Sequence, residues 1–281
     1  MSDAETRPFG AFSLTPTRDF IRSFADVMPN NKVGKWGISI CRKLAIKNRA
    51  EPFDVEIEDG LKLRLHPSGN RCEKRVICGG HTWDSKEHAA LAEAMEQHDE
   101  QSPFTFMDLG ANVGFYSLFL GNAARKISKD VKLIAVEPDK TNASRLQFNA
   151  KASDIHLTHV PAGIGAQRMT ASLVGGEKNR GEIKVSISES HADNSTIDII
   201  PIDELCQKLE INAIDAMKVD IEGYDFQALD CFFTKADQSL WPKLLIIEVL
   251  DSSNDLLELC ITHGYTLNFR AGINAVLSRE L

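Results

Sequence analysis

The sequence of 281 residues contains no run of eighteen apolar residues, so we expect no transmembrane helix. Its first thirty residues lack the apolar core of a secretory signal peptide, which favours a cytoplasmic protein. Internal repeats and low-complexity tracts are missing as well. With 43% hydrophobic and 26% charged residues, the composition excludes a disordered or collagen-like chain and is typical of a globular protein.

Disulfide and metal-binding patterns are also missing. None of the six cysteines forms a Cys-x-x-Cys pair, which favours reduced thiols over a zinc site or a disulfide framework. His81 and His88 are seven residues apart and could share a helix face. Solvated or helix-capping roles are the more common explanation for such a pair, so we expect no metal there.

The charge is unevenly distributed along the chain. Residues 1–50 hold nine Lys/Arg and four Asp/Glu, a balance of +5. The other 231 residues therefore carry −13, which gives the whole chain its net charge of −8. An acidic main body is poorly suited to a phosphate backbone, and we expect no nucleic-acid partner. A basic helix is predicted over 33–48, with Trp36, Ile40 and Leu44 spaced by four. This helix either packs against the main domain or makes a weak contact with a membrane surface.

The remaining sequence predicts an α/β fold. A β-hairpin at 53–65 and a helix at 85–97 form a segment, 51–103, that leads into a core at 104–281. From residue 103 onward, short apolar runs alternate with helical stretches, which indicates a doubly wound, mostly parallel sheet covered on both faces. The strands are expected at 104–109, 132–137, 155–160, 215–221 and 243–249, and the helices at 114–126, 140–151, 224–234 and 252–263. Two last strands, about 265–270 and 273–279, should form an antiparallel hairpin.

Polar residues end the first two of these strands, where the ligands of such sheets bind. Asp108 is followed by a turn containing Gly110, Asn112 and Gly114. This Gly-x-x-x-Gly spacing differs from the Gly-x-Gly-x-x-Gly of dinucleotide-binding turns, and a carboxylate at this point favours a cation over a pyrophosphate. Glu137 ends the next strand, where an acid commonly binds ribose hydroxyls; capping the following helix is the alternative.

Charged residues also interrupt two later strands. Lys218, Asp220 and Glu222 alternate and would share one face of a strand. Three charges on a central strand fit an active-site cleft in which the lysine offsets carboxylate repulsion; an ion pair on a solvated edge strand is the alternative. Glu248 is a single carboxylate in an apolar run, where burial tends to raise a carboxyl pKa. It is either functional or held by a structural hydrogen bond.

Together these segments resemble the FkbM-type methyltransferases. The resemblance rests on four motifs in order, Asp-Leu-Gly-Ala-Asn-Val-Gly-Phe-Tyr-Ser at 108–117, Val-Glu-Pro at 136–138, Lys-Val-Asp-Ile-Glu-Gly-Tyr-Asp at 218–225 and Ile-Ile-Glu at 246–248. It extends over roughly 55–281. It implies the class I methyltransferase fold, which is Rossmann-like with seven strands and an antiparallel last strand, and S-adenosyl-L-methionine as the cofactor.

The resemblance also implies which residues bind that cofactor. The glycine turn would cradle the methionine part, Glu137 would hold the ribose, and backbone near Ala162 and Gly163 would take the adenine, because no acid follows the third strand. Asn194-Ser195 loosely matches a stretch that faces the substrate in relatives. The complete set of expected cofactor-binding residues is Asp108, Gly110, Asn112, Gly114, Phe115, Tyr116, Glu137, Pro138, Ala162 and Gly163.

The reaction implied is O-methylation of a hydroxyl on a sugar, glycan, lipid or secondary metabolite. We expect Asp220 to act as general base, Lys218 to keep it ionised, and Glu222 or Glu248 to orient the acceptor. A divalent metal on the three carboxylates is conceivable. Two other functions remain open at this point: a nicotinamide-dependent oxidoreductase, which should show the missing glycine triplet, and a non-catalytic module docked to a membrane through 33–48. The acceptor and the oligomeric state stay open, and we expect loops 66–88 and 165–195 to select the acceptor.

Overall fold

The computed structural model describes residues 4–99, 101–174, 184–186, 196–249 and 254–280. Its helices are α1 (Pro16–Phe24), α2 (Lys32–Ile46), α3 (Arg71–Val76), α4 (Ser85–Gln97), α5 (Phe115–Lys126), α6 (Lys140–Ala152), α7 (Ile202–Lys208), α8 (Asp225–Lys235) and α9 (Asp255–Thr262). Its strands are β1 (Phe53–Glu58), β2 (Leu61–Leu65), β3 (Phe104–Leu109), β4 (Val131–Val136), β5 (Thr158–Val160), β6 (Gly163–Ile164), β7 (Met169–Val174), β8 (Lys184–Ser186), β9 (Thr196–Ile200), β10 (Ala216–Val219), β11 (Leu244–Glu248), β12 (Thr266–Ala271) and β13 (Asn274–Ser278).

The main sheet has seven strands in the order β12-β13-β11-β10-β3-β4-β5. The last strand, β13, runs antiparallel to both of its neighbours, whereas β11, β10, β3, β4 and β5 pair in parallel. This arrangement confirms the predicted class I methyltransferase fold. Lys218 of β10 lies beside Asp108 of β3 in the ladder, so two of the candidate charged residues are adjacent at the centre of the sheet.

The sheet is apolar on both faces because successive residues of its strands point in opposite directions. In β3, Phe106 is buried in the core shared with the N-terminal helices and the β1–β2 hairpin, and Met107 is buried in the core shared with α7, α8 and α9. Polar groups can therefore reach solvent chiefly at the ends of the strands, and this is where the candidate site lies.

Parts of the chain differ from the sequence-based expectation. Strand β10 ends at Val219, so Asp220 and Glu222 lie in the loop that follows it and are not strand residues. The third parallel strand is also shorter than expected, because β5 covers 158–160 instead of 155–160. A four-stranded sheet in the order β6-β9-β7-β8 was not expected, and two of its strands, β7 and β8, lie within the region interpreted as loop, 165–195. Asn194-Ser195 lies outside the described residues.

Helix α2 (Lys32–Ile46) covers most of the basic helix predicted over 33–48, and the row Trp36, Ile40 and Leu44 is not the side that packs on the domain. Thr15 precedes Pro16 at the first position of α1, and Asn31 accepts a hydrogen bond from the amide of Gly34 at the start of α2. The side of α2 that packs on the domain carries the buried Ile38. The row Trp36, Ile40 and Leu44 is exposed instead. No helix within the described ranges is long and apolar enough to cross a membrane.

Candidate active site

The turn after β3 brings the chain against the loop after β10. Gly110 has φ +78°, and a Cβ at this position would lie 1.8 Å from the carbonyl oxygen of Asp220. Only glycine combines this left-handed conformation with so close an approach. Gly114, with φ +82°, starts α5, and a Cβ there would lie 2.7 Å from the side chain of Leu146. The two glycines therefore fix the turn against two neighbouring elements.

Asp108 is buried beneath this turn. Its Oδ2 accepts hydrogen bonds from the hydroxyl (2.9 Å) and the amide (3.3 Å) of Ser117, in the first turns of α5. Burial raises the pKa of Asp108, while Lys218 and the bonds from Ser117 act in the opposite direction. Its Oδ1 is buried and has no hydrogen-bond partner among the described residues. A buried acceptor of this kind is costly unless a ligand or water engages it.

Glu137 is placed between two backbone segments of the predicted cofactor site. Its carboxylate accepts hydrogen bonds from the amides of Asn112 (2.8 Å) and Asp139 (2.9 Å). Burial raises the pKa of Glu137 to about 8, although both amide bonds counteract the shift. Asn112 itself is in the left-handed region, with φ +53°, and its side-chain oxygen accepts from Asn70 (2.7 Å). Glu137 thus holds the turn at Asn112 in place.

The charged residues after β10 and β11 form one cluster. Lys218 Nζ lies 2.9 Å from Asp220 Oδ2 and 5.2 Å from the ring centroid of Tyr116, which permits a cation–π contact. Glu248 hydrogen bonds to Asp220, and burial together with repulsion from Asp220 and Glu222 raises the pKa of Glu248 to about 8. The raised pKa favours the protonated form of Glu248, which can donate to the Asp220 carboxylate.

A single cavity of about 450 Å³ connects this cluster with the glycine turn. Of the predicted site residues, those lining it are Gly110, Asn112, Phe115, Tyr116, Lys218, Asp220, Glu222 and Glu248. Asp108, near the end of β3, and Gly114, at the start of α5, do not line the cavity. Glu137 reaches the turn only through Asn112, while Pro138, Ala162 and Gly163 are not in the lining either. The roles of these last residues in binding the ribose and the adenine stay predictions.

The cavity is also lined by residues that were not predicted from the sequence to belong to the site. They come from α3, from the segment before α4 and from the β12–β13 turn, and they include Arg71, Arg75, Trp83, Asp84 and Asn274. Asp84 accepts a hydrogen bond from the Tyr116 hydroxyl (3.0 Å), and burial and the nearby Glu87 raise the pKa of Asp84. The sequence placed Asp84 in the loop 66–88, which was expected to select the acceptor, but it did not show that Asp84 would meet Tyr116.

Side chains that could bind a metal ion do not cluster within the described ranges. No group of three or more His, Cys, Asp or Glu suited to a metal ion occurs in the part of the chain that the structure describes. His88 is buried between the rings of Tyr116 and Phe119, whereas the ring of His81 contacts the carbonyl of Met28 (2.9 Å). The two histidines thus have separate structural roles.

The residues around the cavity fit S-adenosylmethionine, a nucleoside with a sulfonium cation and no phosphate. The turn at Gly110 leaves backbone open to the cavity, and Asp220 and Glu222 supply an anionic wall. The partnerless Oδ1 of Asp108 is a buried acceptor next to the turn. A dinucleotide would instead need amides arranged around a pyrophosphate, and the Gly-x-x-x-Gly turn does not provide the usual pattern.

Comparison with known proteins gives a family match. The Methyltransferase FkbM domain matches residues 108–264. Among solved structures, the METTL16 MTase domain is 11% identical with a TM-score of 0.50, and the match covers 94% of this chain and 92% of that one. A SAM-dependent methyltransferase from Agrobacterium tumefaciens is 13% identical with a TM-score of 0.45, covering 82% and 70%. These similarities concern the fold. No curated protein sequence matches this chain.

Proposed function

Since the chain belongs to the FkbM methyltransferase family and is an S-adenosylmethionine-dependent methyltransferase, we propose that it methylates a hydroxyl group of a small-molecule, lipid or glycan acceptor. The observation that carries this proposal is the Lys218–Asp220–Glu248 cluster in the wall of the same cavity as the glycine turn. Family membership also removes the nicotinamide-dependent oxidoreductase and the non-catalytic module from consideration.

The cofactor site in this proposal is the turn of Gly110 and Asn112, together with Asp108 below it. When bound there, S-adenosylmethionine supplies an electrophilic methyl group on a sulfonium that departs as a neutral thioether. The chain itself has to align the acceptor oxygen with that methyl group, because methyl transfer is an in-line displacement. Glu137 supports the alignment by fixing the amide of Asn112 (2.8 Å).

Asp220 is the proposed general base. A hydroxyl group that keeps its proton is a poor nucleophile. The proton must therefore leave as the new carbon–oxygen bond forms, and a nearby carboxylate can accept it. The ammonium of Lys218 lies 2.9 Å from Asp220 Oδ2, and the raised pKa of Glu248 favours a form that donates a hydrogen bond to Asp220 instead of repelling it. Glu222, in the same wall, is proposed to orient the acceptor.

The acidic body of the chain supports a small or uncharged acceptor over a nucleic acid. Residues 51–281 carry a net −13, which opposes the approach of a phosphate backbone.

Transfer of a labelled methyl group tests the proposal. The enzyme and methyl-labelled S-adenosylmethionine are incubated with the small-molecule, lipid, glycan and nucleic-acid fractions of a cell extract, and the labelled product is then isolated. We expect the label in an ether that survives mild alkali. Label on a nitrogen atom, in an alkali-labile ester or in nucleic acid would contradict O-methylation of a hydroxyl acceptor.

A further inference from the structure

The two N-terminal helices carry an apolar surface that the domain does not cover. Seven of the eleven exposed large hydrophobic side chains within the described ranges lie between residues 20 and 44. We define the α1–α2 apolar surface by six of these residues, Phe20, Phe24, Val33, Trp36, Ile40 and Leu44. Trp36 is 69% exposed and Phe20 is 70% exposed, so solvent reaches most of each aromatic side chain.

This surface is separate from the side of α2 that packs on the domain. Ile38, Cys41 and Ala45 point inward and are buried, and Ile38 contacts the segment at Gly79. Trp36 and Ile40 are four residues apart and lie on another side of the same helix. Packing on the domain therefore does not cover the row Trp36, Ile40 and Leu44. A contact with another molecule or surface is needed to remove these side chains from water.

Charge indicates what that contact is. Residues 32–50 contain no Asp or Glu, and the four lysines of this segment, at 32, 35, 43 and 47, are all exposed. An apolar row beside lysines is the pattern of a helix that lies in the interface of an anionic bilayer. A symmetric contact with a second copy would instead bring the lysines of both protomers together, which is unfavourable. The acidic remainder of the chain would be held away from such a bilayer.

We propose that the α1–α2 apolar surface docks this enzyme on a membrane that contains anionic lipid. Two hydrogen bonds connect this N-terminal region to a segment that contributes to the active-site wall. Asp26 Oδ1 accepts a hydrogen bond from the amide of Gly79 (2.9 Å), and Asn30 bonds to Ser85 (3.1 Å). Between these points lie Trp83 and Asp84, which line the cavity. Docking would thus fix the position of the cavity relative to the bilayer.

Vesicle co-sedimentation of the full chain tests this docking. The probes are vesicles of phosphatidylcholine alone and vesicles that also contain phosphatidylglycerol. We expect sedimentation with the anionic vesicles only, and release at high salt. The double variant Phe24→Ser/Trp36→Ser should lose binding. Lys43→Gln/Lys47→Gln should lower the affinity about 25-fold, since each lysine near an anionic surface contributes a factor of about five.

Matched controls separate docking from unfolding. Ile127→Ser/Ile261→Ser removes two side chains that are each 50% exposed elsewhere on the protein, and it should bind vesicles like the wild type. Trp36 is far more exposed than the buried Trp241, so its fluorescence should shift to the blue when anionic vesicles are added. Trp36→Phe should abolish the shift but keep the sedimentation.

Three results would overturn the proposal. One is failure of the wild type to sediment with anionic vesicles. Another is equal binding by the Phe24→Ser/Trp36→Ser variant when its circular dichroism shows that it is folded. The third is a wild-type dimer in sedimentation equilibrium that becomes a monomer in this variant, since the surface would then be covered by a second copy.

Discussion

Lys218 Nζ lies 2.9 Å from Asp220 Oδ2, so a buried ammonium directly contacts the carboxylate that is proposed to take the proton from the substrate hydroxyl. Burial alone would lower the pKa of Lys218, but Asp220 and Asp108 together raise it above its ordinary value. Lys218 therefore keeps its charge throughout the physiological pH range. The same ammonium faces the ring of Tyr116, which holds it at the cavity wall.

Replacing this lysine should lower turnover. In Lys218→Met the Asp220 carboxylate loses the ammonium that contacts it, and we expect kcat to fall by roughly tenfold or more while the Kd of S-adenosylmethionine changes little. Lys243→Met is the matched control, because Lys243 also pairs with a buried aspartate (Asp215, 3.0 Å) but outside the cavity. A kcat that is unchanged in Lys218→Met would contradict this role for the lysine.

The close approach of Gly110 to the Asp220 carbonyl predicts a strong effect of a single methyl group. Gly110→Ala places a Cβ 1.8 Å from that oxygen, so the turn must move. We expect the Kd for S-adenosylmethionine, measured by calorimetry, to rise by roughly tenfold or more, about 1.4 kcal/mol. Gly264→Ala is the control, because its φ is +87° but its nearest contact is at 3.9 Å. It should cost only about 1–2 kcal/mol of stability and leave binding unchanged.

Glu248 should make stability depend on pH. The pKa of Glu248 is about 8 in the folded protein against 4.5 for the ordinary side chain, so the folded state holds a proton that the unfolded state releases between these values. Stability should therefore fall as pH rises through this window. In Glu248→Gln, urea unfolding at about pH 5 and about pH 8 should show a smaller fall, while Glu137 preserves part of the dependence.

The control for this measurement is Glu258→Gln on α9, where the side chain is exposed. It should leave the difference in unfolding free energy between the two pH values as in the wild type. If Glu248→Gln also shows the wild-type difference, Glu248 does not retain its proton in the folded protein.

Stability of the N-terminal segment should depend on a buried ion pair. The Arg64 side chain is 1% exposed; it binds both oxygens of Asp54 (2.7 and 2.9 Å) and donates to the carbonyls of Arg7 (2.9 Å) and Pro8 (2.8 Å). Arg64→Met leaves Asp54 buried without its cation, and we expect a loss of about 3–5 kcal/mol in the free energy of unfolding by urea.

An exposed ion pair provides the comparison for Arg64→Met. Arg168 pairs with Glu204 at 2.8 Å, and its side chain is 66% exposed. Arg168→Met should cost at most about 1 kcal/mol because water already solvates both groups. Equal losses in the two variants would show that the Arg64–Asp54 pair has no special structural role.

The main sheet could be predicted because its signals are local. The apolar run 104–109 indicates a strand, and the glycines at 110 and 114 indicate a turn, independently of the rest of the sequence. The second sheet was missed because β6 has only two residues and because, in β9, Ile197 and Ile199 alternate with exposed residues. Such strands lack the continuous apolar run of a parallel core.

The candidate site could be predicted only in part for a similar reason. Lys218, Asp220 and Glu248 stand out because charges are unusual at the ends of apolar strands. Asp84 comes from a segment with no such contrast, and its contact with Tyr116 depends on how α4 packs on α5. The exposure of Trp36 could not be predicted either, because the spacing of Trp36, Ile40 and Leu44 does not distinguish a packed helix face from an exposed one.

In the proposed mechanism, Asp220 takes the proton of the acceptor hydroxyl in the cavity that binds the cofactor. The most direct measurement compares the turnover and the S-adenosylmethionine affinity of Asp220→Asn with those of Asp230→Asn, an exposed control on α8. We predict that Asp220→Asn lowers kcat by roughly 10²–10⁴-fold while the Kd of the cofactor changes little. A kcat that stays at the wild-type value would contradict the account.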